Sequence, residues 1–96
     1  MTIFAVLLPN PQSRLVEAIK NTYPNDNLAV SETQWLVSDV GTAIDVCAKL
    51  KIYDPKEPST PSIGNGIVFA TSGYFGRGPA NVWEWIKAKL EASPNG

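Results

Sequence analysis

The chain contains no histidine among its 96 residues and a single cysteine, Cys47. Without an imidazole there is no triad built on a histidine base and no His-ligated zinc site. With one thiol no disulfide forms within the chain, so the fold must be held by burial. Charge is scarce and balanced, 8 Lys and Arg against 9 Asp and Glu for a net charge of −1. No broad positive field exists to drive non-specific binding to nucleic acid, and any such contact must be local. Long apolar runs are missing too. The longest, Ile3 to Leu8, covers six residues, against the roughly 20 that a membrane-spanning helix needs. The opening MTIFAVLLPN has neither a basic leader nor a cleavage signal, which leads to the expectation of a cytoplasmic protein.

What is present suffices for one core. Hydrophobic residues make up 44% and charged residues 18%, a composition that offsets chain entropy in a single domain over 1–96 with no cofactor expected. TIFAVLL at 2–8 is apolar on both alternate faces, the pattern of a central strand covered on both sides. Asn10 offers an N-cap and Pro11 a first helical residue, and Leu15, Val16, Ile19 and Tyr23 recur at helical spacing until Pro24, predicting a helix over 11–23. Leu28 to Val30 and Thr33 to Ser38 read as a hairpin. Thr42 and Asp45 have the spacing of a capping box for a second helix running to Leu50. Prolines 55, 58 and 61 mark 53–65 as a mobile loop. IVFAT at 67–71 is a fourth strand, and Val82, Trp83, Ile86 and Leu90 line a third helix, with Trp83 expected in the core and a frayed tail at 93–96.

The order strand, helix, strand, strand, helix, strand, helix contains the ferredoxin-like split βαβ arrangement (βαββαβ) with one helix added, an α+β fold. In that arrangement the first and third strands are the central pair. The apolar first strand running into a helix, ETQWLVSDVGTAIDVCAKL at 32–50 and GIVFATSGYFGR followed by WEWIKAKL resemble the small ferredoxin-like proteins related to the CRISPR-associated partner of the spacer integrase, including their SinR-like relatives. The resemblance implies a self-associating protein that modulates a nucleic-acid-processing partner. Nuclease members of that family end the first strand on an aspartate, where this chain has Leu8, Pro9 and Asn10. Integrase-binding members continue into a fifth strand, where this chain has a helix.

Five sets of residues invite a chemical reading. Asn10, Ser38 and Asp39 are expected to converge at one end of the sheet, where Asp39 could help hold a hard cation with waters and phosphate; otherwise Asn10 caps the first helix and Asp39 lies in a turn. Ser72, Gly73, Gly76, Arg77 and Gly78 form a glycine-rich turn before a helix, a setting for an anion, or else a turn that needs positive φ. Trp85, with Tyr74 and Phe75, could cover a partner in a homodimer, or close the open face of the sheet. Cys47 repeats the face of Ala43 and Leu50 and reads as a small buried hydrophobe. Lys49, Lys51, Lys87 and Lys89 with Arg77 could form a local basic patch, or be solvated helix faces. The leading expectation is a non-enzymatic interaction protein, the alternatives being a metal-dependent nuclease or phosphodiesterase and a binder of a small anion.

Overall fold

A computed structural model describes residues 1–73 and 76–91. Its elements run β1 (Thr2–Leu7), α1 (Ser13–Thr22), β2 (Asn27–Ala29), β3 (Gln34–Asp39), α2 (Ala43–Lys49), β4 (Ile67–Ala70) and α3 (Ala80–Glu91). The four strands form one antiparallel sheet in the order β2-β3-β1-β4. The two strands with apolar residues on both faces, β1 and β3, are the central pair.

Alternation along these strands sorts the side chains into two layers. Phe4 and Val6 of β1 and Trp35 and Val37 of β3 face α1 and α2, where they meet Leu15, Ile19, Val46 and Leu50 in one buried core. Fully burying such aliphatic and aromatic side chains supplies about 1.5–3 kcal/mol each. Ile3, Ala5 and Leu7 of β1 and Leu36 of β3 have the opposite parity and face away from that core. Part of this second face lies under α3, whose Ile86 is buried and lines a cavity with Ile3, Leu36 and Leu90. Trp83 is only half-buried, and Ile86 is the buried residue of α3 among those described.

Local chemistry fixes the helix ends. At α1 the N-cap is Gln12, not Asn10, and its side chain makes no cap bond. Gln12 instead exchanges two 2.8 Å hydrogen bonds with the backbone of Asn65, tying the end of the 53–65 segment to α1. The α2 capping box forms as its spacing predicts: Thr42 Oγ1 accepts from the Asp45 N–H at 3.2 Å, and the Asp45 carboxylate accepts from the Thr42 N–H at 2.8 Å. At its far end the Ile52 and Lys51 N–H groups return to the Cys47 and Ala48 carbonyls, with Lys51 at φ +60°, a left-handed stop in which glycine is more usual. The chain then turns through Asp54 and Glu57, and Ile63 comes back to donate to the Lys51 carbonyl at 3.0 Å and to pack on the core. The tail at 93–96 lies outside the described residues.

Candidate functional site

Among the described residues, Asp39 is a buried polar side chain with three hydrogen-bond partners. It closes β3 at 5% exposure, with Oδ2 accepting from the Tyr23 hydroxyl at 2.6 Å and from Lys49 Nζ at 2.8 Å, and Oδ1 accepting from the Gly41 N–H at 3.0 Å. Burial pushes its pKa up, but the hydrogen bonds from Lys49, Tyr23 and the Gly41 N–H outweigh that and hold it at about 2. Tyr23 is displaced upward from its ordinary value, first by burial and then by its bond to the carboxylate. These contacts join the end of α1, the end of β3 and the last turn of α2.

The expected convergence of Asn10 with Asp39 does not occur. Because β1 and β3 are antiparallel, Asp39 lies opposite Thr2 while Asn10 follows the other end of β1. The two residues sit at opposite ends of the sheet. Ser38 does lie beside Asp39 in sequence, but on the other face, where its hydroxyl approaches the Met1 sulfur at 3.6 Å. Among the described residues no group of three or more His, Cys, Asp or Glu side chains could hold a metal ion.

In the glycine-rich turn, Ser72, Gly73, Gly76, Arg77 and Gly78 are exposed, and Gly76 has φ +152°. Tyr74 and Phe75 lie outside the described residues. The concavity beside this turn is a cavity of about 370 Å³ that Ser72 and Gly73 share with Ile3, Leu36, Thr71, Ile86 and Leu90, and Arg77 does not line it. That lining is mainly apolar, and among the described residues it includes no cationic side chain.

The lysines divide between two layers. Lys49 ends α2 and Lys51 follows it on one face of the sheet, whereas Lys87 and Lys89 belong to α3, which covers part of the other. Lys49 pairs with Asp39, and Lys89 pairs with Asp26 at 2.6 Å and donates to the Asn25 carbonyl at 2.9 Å. Trp85 is half-buried, its ring centroid 5.9 Å from Lys89 Nζ. Cys47 is half-buried against the core.

The surface that stands out lies around β4. Thr71 donates its N–H to the Ile3 carbonyl at 3.0 Å, which makes that position a hydrogen-bonded pair of the antiparallel ladder. Alternation then turns the polar backbone groups of Ile67 and Phe69 toward β1 and those of Val68 and Ala70 toward the outer edge. Among the described residues no strand pairs with that edge. Beside it, Leu7, Ile67 and Phe69 are exposed on the sheet face that α3 leaves open, at 39%, 60% and 49%. On the other side of the edge runs a groove lined by Ala43, Ile44, Cys47, Tyr53, Ile67 and Val68, with Ile44 and Tyr53 more than half exposed. Periodicity identifies IVFAT as a strand but does not say that it lies at an edge. The available signal was charge: none of the 19 residues from Pro58 to Gly76 is charged.

Compared with known proteins, the chain matches no family model, no curated protein and no solved structure.

Proposed function

We propose that this chain is a non-enzymatic interaction domain of ferredoxin-like topology that works by self-association. The strand order β2-β3-β1-β4, with α1 and α2 on one face and α3 added on the other, supports the topology. One observation carries the interaction reading: the open edge of β4 adjoins exposed Leu7, Ile67 and Phe69. Soluble domains cover such edges or guard them with charge, proline or a bulge, because an unpaired row of N–H and C=O groups templates further pairing. β4 has neither a charged residue nor a proline, and its register with β1 runs unbroken.

The resemblance to small ferredoxin-like relatives of the spacer integrase's partner extends this reading to a dimer that modulates a nucleic-acid-processing protein, and the opening of the chain adds the expectation of a cytoplasmic setting. Among the described residues no helix is long and apolar enough to cross a membrane. Cleavage is disfavoured by geometry: Asp39 already accepts from Lys49, Tyr23 and Gly41, and Asn10 is at the other end of the sheet. Light scattering from tens to hundreds of micromolar tests the proposal. A mass rising toward twice 10.4 kDa is expected; a monomer throughout would refute it.

A further inference from the structure

We infer that the occupant of the β4 edge is the β4 edge of a second copy, the two sheets joining antiparallel about a two-fold axis into one continuous eight-stranded sheet. This rests on the self-association proposed above and assigns it a surface.

The argument for a second copy begins with charge. At a two-fold contact each patch meets itself, so a charged side chain near the axis faces its like. A heterologous partner imposes no such limit. The uncharged run from Pro58 to Gly76 leaves the whole strand free of self-repulsion.

Backbone geometry agrees. Val68 and Ala70 present outward N–H and C=O groups, and in a two-fold register centred on Val68 or on Phe69 these supply bonds across the axis. Ile67 and Phe69 of both copies then meet on one face of the joined sheet, and the groove walled by Ile44 and Tyr53 receives side chains of the other copy on the opposite face. The area is also adequate. At exposures between 39% and 60%, Leu7, Ile44, Tyr53, Ile67 and Phe69 each leave on the order of 100 Å² uncovered, about 500 Å² per copy. A standard interface buries about 800 Å² per partner, of which roughly 57% is non-polar, or about 450 Å².

The decisive variant is Ala70→Pro. The Ala70 N–H is not used in the ladder with β1, so a proline there leaves the pairing within the monomer intact and removes a donor only from the outer edge. The matching control is Ala29→Pro at the opposite edge, where the Val30 N–H bond to Gln34 at 2.8 Å places the Ala29 N–H outward as well. Circular dichroism and sedimentation equilibrium should find both variants folded, with dimerisation weakened at least about tenfold in Ala70→Pro and unchanged in Ala29→Pro. A folded Ala70→Pro that dimerises like wild type would overturn the edge assignment while leaving self-association standing. If Ala70→Pro does not fold, Phe69→Lys decides: it sets two like charges near the axis, and undiminished association would overturn the proposal. A wild-type chain that stays monomeric at hundreds of micromolar refutes both self-association and this edge pairing. An uncharged extended peptide that protected Val68 and Ala70 in such a monomer would give the edge to a different occupant.

Discussion

At β2 the sheet ends in three residues that follow Pro24 and lie beside the Lys89–Asp26 ion pair, whereas at β4 it ends in four residues within a run that carries no charge. Both edges direct two residues' backbone groups outward, Asn27 and Ala29 on one side and Val68 and Ala70 on the other. The β2 edge is short, and the polar groups around it are engaged: Asn27 Nδ2 donates to the Tyr23 carbonyl, and Lys89 holds Asp26 and Asn25. The β4 edge has apolar side chains exposed beside it and no charged residue in the strand itself. Protection against further strand pairing is thus present on one side of the sheet and absent from the strand on the other. The two sides should therefore separate in experiment, stability residing in the polar contacts near β2 and association in β4.

The largest expected effect on stability is at Asp39. Asp39→Asn should cost about 2–3 kcal/mol in urea unfolding, because it weakens charge-assisted bonds from Lys49 and Tyr23 at a buried site, and dimerisation should be unaffected wherever the variant is folded. The same carboxylate predicts the acid limb. Its folded value of about 2 lies below the ordinary 3.8, so the unfolded chain binds the proton more readily. The stabilisation is complete above about pH 4 and fades as pH falls through about 2. Urea midpoints measured across that range should fall in wild type and flatten in Asp39→Asn.

Next is Thr42→Ala, which removes the α2 cap and should cost about 1 kcal/mol. α2 forms one wall of the β4 groove, so a parallel loss of association would show that the groove as well as the edge contributes to the dimer. Lys89→Ala should cost about 0.5–1 kcal/mol by releasing a partly exposed pair, again without weakening association. Phe69→Lys inverts the pattern: monomer stability should change by no more than about 0.5 kcal/mol, as at other exposed sites, yet the dimer should be lost in sedimentation.

How much of this was legible in the chain depends on whether the information is local. The two-faced apolar pattern of Phe4 and Val6 against Ile3, Ala5 and Leu7 marks a central strand, and Thr42 with Asp45 marks a helix start, because periodicity and capping act over a few residues. The relation of Asn10 to Asp39 depends on strand direction, which no pattern within one strand encodes, and the antiparallel pairing of β1 with β3 places the two at opposite ends of the sheet. Asp39 reads as a turn residue or a lone ligand until α1 and α2 bring Tyr23 and Lys49 to it across 16 and 10 residues. Trp83 and Ile86 share one apolar arc, and only the way α3 lies over Ile3 and Leu36 decides which is buried. The edge position of β4 follows from the whole topology, and its openness is visible in the sequence only as missing charge.

Amide exchange followed by nuclear magnetic resonance against protein concentration is the most direct measurement of the difference between the edges. Raising the concentration from micromolar to millimolar should slow exchange at Val68 and Ala70, whose N–H groups become bonded across the two-fold, and leave Asn27 and Ala29 unchanged. Concentration-independent exchange at Val68 and Ala70, or protection appearing at Asn27 and Ala29 instead, would contradict pairing through β4.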